Sequence, residues 1–273
     1  MEKQRILITV KTYPTLSRKY GETVCTAGVR EDGTWVRIYP VPFRRLDEEE
    51  QYSKYDWIEC RLRRNDRDKR PESYSLVAPH EMKKVGSIDT RDNWRERRKL
   101  LLDRARIYDD LEEIIGDAKT NKISLAVFKP ARILDFIVEE DERAWDPRKL
   151  DEMRRLTRQH DLFDDNAWRK TFQLIPKLPY KFSYRFEDAA GRKSEQQILD
   201  WEIGALYWNT LRRAEGDESV AIEKVRAKYF DEFRRKDLHL YLGTTQRWHL
   251  VAPNPWLVIG VLPIPHQTQL GLF

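Results

Sequence analysis

Short runs of alternating apolar and polar residues dominate the first 80 or so positions. Residues 5–11 (RILITVK) alternate and are rich in β-branched side chains, which predicts a strand. Thr12-Tyr13-Pro14 breaks it, because proline cannot donate to a ladder. Residues 22–29 predict a second strand and residues 34–40 a third, with Asp32-Gly33 as the hairpin turn between them. Residues 55–62 predict a fourth. Four or five short strands in this stretch predict a small antiparallel barrel or curled sheet.

The period then changes. Leu100, Leu101, Ile107, Leu111, Ile114 and Ile115 recur at helical spacing, with Asn93 as a cap before Trp94 and Gly116 as a stop. One helix is expected over 92–116. Residues 123–128 and 131–139 read as strands on either side of Lys129-Pro130, and Asp146-Pro147 opens a charged helix to about residue 160. Residues 181–187 alternate as a strand and 187–191 form a turn. Helices follow near 200–214 and 218–235. Strands over 238–244 and 256–262 close the pattern, joined by a loop through Pro253-Asn254-Pro255. The expected class is α+β. A small antiparallel β-barrel-like module spans 1–85, a mixed helix and antiparallel-sheet region 86–262, and an extended tail 263–273.

Composition narrows the field. No apolar run approaches the length of a membrane span. The first residues lead into a strand and do not read as a secretory signal. Cys25 and Cys60 lack partners at zinc spacing, so no metal site is expected from them. They read as small buried side chains in a reducing compartment, the cytoplasm. Lys plus Arg exceeds Asp plus Glu by 51 to 46, a margin too small to name a partner by itself. Its placement says more. Arg61, Arg63, Arg64, Arg67, Lys69 and Arg70 crowd one segment; Arg91, Arg95, Arg97, Arg98, Lys99, Arg104 and Arg106 crowd another. Arginine suits bidentate phosphate contacts, and these segments are candidates for binding nucleic acid. The alternative is a solvated, salt-bridged surface.

On the third strand, Trp35, Arg37 and Tyr39 share one face, preceded by Lys11, Tyr13, Arg18, Lys19 and Tyr20. Aromatic and cationic side chains on one face stack bases and neutralise phosphates. The same residues also suit a core, with Arg37 capping an edge. In pattern, this module resembles the small β-barrels of the PUA and ASCH type, which grip RNA or modified bases.

Asp200 and Glu202 flank Trp201 after a strand-turn-strand segment. With Glu187 or Asp188 they suggest a carboxylate cluster for Mg²⁺, as a metal-dependent nuclease requires. Asp200 reads equally as a helix N-cap with Glu202 in the first turn. His239 and His249 stand near Thr244, Thr245, Gln246 and Arg247, as weak acid–base candidates or structural histidines. The weak catalytic candidates are therefore Asp200, Glu202 and His239.

The chain ends Gln269-Leu270-Gly271-Leu272-Phe273. This pentapeptide resembles the motif with which bacterial replication and repair proteins dock on the DNA sliding clamp. The resemblance implies that Gln269, Leu270, Leu272 and Phe273 bind the clamp. Pro263 and Pro265 are expected to end the last strand and stiffen a spacer before them. Together these features describe a DNA-associated accessory protein. It binds DNA or RNA and is recruited to the clamp in replication, repair, or a defence or mobile-element system. A metal-dependent nuclease using Mg²⁺ and a protein–protein adaptor without nucleic-acid contact are the alternatives. Whether the chain is catalytic is not legible at this level, nor is its oligomeric state.

Overall fold

β1 (Lys3–Lys11) buries five consecutive residues, Ile6 to Val10. A strand with one wet face hides every second side chain, so this pattern means that both faces of β1 are covered. Ile6 and Ile8 enter one core; Leu7 and Val10 enter another. The computed structural model describes residues 2–17, 21–43, 46, 51–78, 81–160 and 175–266.

The first core is the inside of a barrel. It is built from β1, β3 (Gly21–Val29), β4 (Trp35–Val41), β6 (Ser73–Leu76) and β5 (Asp56–Arg64), in that order, and β5 pairs back with β1. Five strands therefore close on themselves and leave no edge among them. β2 (Thr15–Ser17) attaches outside to β3 and β7 (Lys83–Ser87) to β5. The pairs are antiparallel except β4 with β6, which is parallel. Alternation along β5 sends Ile58, Cys60 and Leu62 inward, against Ile6, Ile8, Val24, Val36 and Ile38.

The second half holds α1 (Arg91–Leu101), β8 (Ile107–Tyr108), α2 (Leu111–Lys119), β9 (Leu125–Phe128), β10 (Arg132–Glu140), α3 (Pro147–His160), β11 (Tyr180–Glu187) and β12 (Lys193–Gln197). It continues with α4 (Trp201–Arg213), α5 (Glu218–Arg226) and a helical extension to Arg235, then β13 (Asp237–Thr244) and β14 (Trp256–Ile264). β10-β11-β12 form one sheet and β14-β13-β9-β8 a second. Between these sheets and the helices lies an aromatic core, with Phe128 on Phe186 at 5.5 Å and Phe136 on Phe182 at 5.8 Å between centroids. The mixed α+β class and the N-terminal barrel agree with the sequence pattern.

Three local expectations differ. Asn93 does not cap α1: the helix is entered from Thr90, and Asn93 lies within its first turn at a φ of 55°. The helix expected over 92–116 is two helices with a short strand between. The Asp110 carboxylate accepts the Glu112 and Glu113 amides at 2.7 and 3.0 Å and starts a new helix there, while Ile107 pairs with Val127 of β9. Gly116 lies inside this helix, not at its end. Pro263 does not stop β14, which runs on to Ile264. β14 is the outer strand of its sheet, where a missing amide hydrogen leaves no ladder bond unmade.

A third core joins the two halves. Leu7, Val10, Val29 and Tyr55 pack with Leu101, Val127, Tyr241, Ile259 and Leu262. Among the described residues no helix is long and apolar enough to cross a membrane.

Candidate nucleic-acid interface

The first arginine-rich segment runs off the end of β5 into the loop before β6. Burial sorts its members. Arg61 bonds Glu81, with Nε donating at 2.7 Å. Arg70 is buried; its Nε donates to Asp68 at 2.9 Å and its Nη1 donates to the Thr244 carbonyl. Burial alone raises the Asp68 pKa, but the Arg70 bonds outweigh it and hold the carboxyl below its ordinary value. Ser73 Oγ donates to the same carboxylate at 2.8 Å, so the loop is closed from inside. Arg63, Arg64, Arg67 and Lys69 are left exposed, and none of them makes an ion pair among the described residues. The Arg64 guanidinium lies 5.1 Å from the Tyr74 ring centre. Asp66 is the exposed acid among them.

A loop of the second half is fastened beside it. Gln246 Nε2 donates to the Arg67 carbonyl at 2.5 Å, and Asn121 Nδ2 donates to the Lys69 carbonyl at 3.3 Å. Asn121 Oδ1 therefore faces His249 Nε2, 2.9 Å away, and accepts its hydrogen. His249 Nδ1 then accepts the Thr244 hydroxyl at 2.9 Å. Burial, followed by the Arg70 and Arg37 charges, pushes the His249 pKa down to about 4, so the ring is neutral and this one tautomer serves both bonds. Trp248 N–H donates to the Thr245 carbonyl at 3.1 Å and Ala252 N–H to the Trp248 carbonyl at 3.0 Å, which tightens the loop and turns its tip outward. At that tip Trp248, Leu250 and Val251 are 46%, 56% and 72% exposed. Arg247 lies 4.6 Å from the Trp248 ring centre.

Large apolar side chains are rarely left together in water without a purpose. Here three of them stand with Arg247 on a loop fastened to the one that carries Arg67 and Lys69, and Arg63 and Arg64 end β5 just before it. The basic groups suit phosphates, and the Trp ring and aliphatic tip suit bases or a groove wall.

The other sequence candidates fall elsewhere. Trp35 packs edge-on against Tyr241 at 5.9 Å. Arg37 is 1% exposed and its Nη2 donates to the Ser124 carbonyl at 2.8 Å. Burial first, then the Arg70 charge, pushes its pKa down to about 10. Tyr39 is half-buried, with its hydroxyl 3.5 Å from Thr23 Oγ1. This strand face turns toward β9 and β13, so Trp35 and Arg37 join the two halves, Arg37 wholly and Trp35 partly withdrawn from solvent.

The second basic stretch is largely absorbed. Arg91 pairs with Asp89, Arg95 with Asp92, and Arg106 with Glu113. Arg97 stacks 3.5 Å over Tyr55, and Arg98 and Arg104 donate to the Pro265 and Glu31 carbonyls. Asp200 is fully buried, accepts the Glu202 amide at 3.2 Å as the cap of α4, and binds Lys54 Nζ at 2.7 Å; Glu202 binds the same ammonium at 2.9 Å. Burial disfavours that ammonium, but the two carboxylates outweigh it and hold Lys54 protonated. Glu187 pairs with Arg132, and Asp188 accepts the Leu111, Ala190 and Arg192 amides. Buried His239 has Nδ1 3.2 Å from the Asp237 carbonyl. Among the described residues no three His, Cys, Asp or Glu groups converge as metal ligands. Gln269, Leu270, Leu272 and Phe273 lie outside the described residues, as do Arg18, Lys19 and Tyr20.

The Trp248-Leu250-Val251 tip was missed from sequence. Its signal was a cluster of large apolar side chains inside a turn that ends in Pro253-Asn254-Pro255.

These features define an α+β protein, a closed barrel joined to a two-sheet half, with a basic and apolar face at their seam. The chain belongs to the family described as Domain of unknown function (DUF8757), which matches residues 105–273. Residues 2–103 match Domain of unknown function (DUF8758). No curated protein matches the chain. A solved structure titled "Structure of murine DNA binding protein bound with ds DNA" aligns over 98% of this chain and 99% of that chain, at 9% identity and a TM-score of 0.32.

Proposed function

We propose that this protein is a DNA-binding accessory factor that grips its partner through the end of β5, the loop that follows it, and the 245–252 loop. The observation that carries this reading is the pairing of unneutralised cations with an exposed aromatic and aliphatic tip on two loops tied to each other. Arg63, Arg64, Arg67, Lys69 and Arg247 contact phosphates, and Trp248, Leu250 and Val251 press against bases or sugars. The reading is a binding function; the Lys54 clamp on Asp200 and Glu202 gives the metal-nuclease alternative no support.

Recruitment rests on the pentapeptide Gln269-Leu270-Gly271-Leu272-Phe273, whose resemblance to the bacterial clamp-binding motif favours DNA over RNA as partner. The protein would act in the cytoplasm, in replication, repair or defence. Fluorescence anisotropy of a labelled duplex tests the body, and binding to a bacterial sliding clamp with and without residues 269–273 tests the tail. The expected result is nucleic-acid binding that survives removal of the tail, and clamp binding that does not. A chain that ignores duplex and single strand alike at low salt refutes the first part.

A further inference from the structure

α4 is apolar on two faces. Ile203 and Tyr207 enter the aromatic core. Trp201, Ala205, Trp208, Asn209 and Arg212 recur at helical spacing on another side and line a cleft of about 590 Å³ together with Tyr13. That volume lies in the range of small-molecule sites.

The aromatic walls are set in place before any ligand arrives. Trp208 Nε1 donates to the Tyr13 hydroxyl at 2.8 Å, and that hydroxyl donates to the Pro176 carbonyl at 2.8 Å. Tyr13 lies against the helix at Gly204, where a β-carbon would overlap its ring. Trp201 is braced by Phe43 at 5.7 Å, and the Lys11 ammonium stands 4.5 Å from its ring centre. Rings held this way lose little freedom when a flat ligand stacks on them. Among the described residues the lining carries, besides the Tyr13 hydroxyl, the Asn209 amide, the Arg212 guanidinium and the Glu215 carboxylate. Arg212 and Glu215 carry opposite charges and the Lys11 ammonium stands by Trp201, so the stacked aromatic walls, more than any charge, set the preference for a flat ring. The amide presents both a donor and acceptors, which suits the edge of a base.

We propose that this cleft holds one unpaired nucleobase, stacked among Tyr13, Trp201 and Trp208 and read at its edge by Asn209. The inference rests on the nucleic-acid reading above. It adds a site that takes a base out of its strand, distinct from the loops that hold phosphates.

The test uses the full chain and the four deoxynucleoside 5′-monophosphates, followed by titration calorimetry. One or two stacked rings support binding in the roughly millimolar range. Ala205→Trp fills the cleft without removing a contact and should weaken that binding at least about tenfold, while Trp208→Ala should do the same by deleting a wall. Arg63→Ala/Arg64→Ala/Arg67→Ala should leave it unchanged and weaken duplex binding instead. If the wild-type chain binds duplex but no monophosphate, the cleft inference is overturned and the interface stands. Monophosphate binding that Ala205→Trp leaves intact overturns it as well. If the cleft binds monophosphates and the triple variant still binds duplex normally, the interface falls and the cleft stands.

Discussion

Replacing Arg63, Arg64 and Arg67 by Ala removes three of the five exposed cations of the proposed interface, of which Arg63 and Arg64, neighbours in β5, leave the strand on opposite sides. Each phosphate neutralised on duplex DNA steepens the salt dependence, log K against log salt, by about 0.9. Five engaged cations therefore predict a slope near −4.5, or a loss of roughly 500-fold in affinity between about 50 and 200 mM salt. With only Lys69 and Arg247 left, the slope falls to about −1.8 and the loss over the same range to roughly tenfold. These are upper limits, because Asp66 is exposed on the same loop and opposes its neighbours. The fold should tolerate the change. The three guanidiniums are exposed and make no ion pair among the described residues; Arg63 and Arg67 should each change stability by no more than about 0.5 kcal/mol, and Arg64, which gives up its bond to the Pro71 carbonyl and its place over Tyr74, by about 1 kcal/mol. The assay is anisotropy of one labelled duplex at four or five salt concentrations, with thermal unfolding as control. A variant that keeps the wild-type slope refutes the reasoning, since these arginines then meet no phosphate. Weaker binding with an unchanged slope refutes it too, because the loss would come from contacts other than charge.

Leu250→Ser with Val251→Ser should act in the opposite way, weakening duplex binding by at least about fivefold and leaving the salt slope unchanged, since only apolar contact is removed. A changed slope would place the tip elsewhere. His249 offers a pH signature. Its folded pKa is pushed down to about 4 from 6.5, so its contribution to stability is complete above pH 6.5 and is lost as pH falls from 6.5 toward 4. Between pH 6.5 and 5 this costs about 2 kcal/mol at most. Thermal melts of wild type and His249→Gln across that window should show a shallower fall in the variant; parallel curves would deny His249 the role. Gly204→Ala should lower stability by about 1–3 kcal/mol through overlap with the Tyr13 ring. A melting temperature at or above wild type would mean that Tyr13 is not pressed against α4.

Most of the secondary structure was legible because local chemistry set it. Asp200 caps α4 as its place before a helical run implied, and Gly33 turns the β3–β4 hairpin with a φ of +85°. What period alone did not reveal was the second covered face. Residues 5–11 alternate like a half-exposed strand, yet β1 is buried on both sides because a second layer lies against the barrel wall. The same layer changes the meaning of Trp35 and Arg37. A cation between aromatics on one strand face is as good a seam as a binding surface, and only the position of β9 and β13 decides between them. Exposure inverted the arginine patches for a related reason. Both look alike in sequence, but in the second most of the arginines meet a nearby carboxylate, carbonyl or ring, while in the first Asp68 holds Arg70, Glu81 holds Arg61, and Arg64 meets the Pro71 carbonyl and the Tyr74 ring, which leaves Arg63, Arg67 and Lys69 in water. The side chains that stand out as chemistry are therefore those the fold leaves unsatisfied. By that criterion the seam between the 63–70 and 245–252 loops outranks Asp200, whose carboxylate already has an ammonium and an amide.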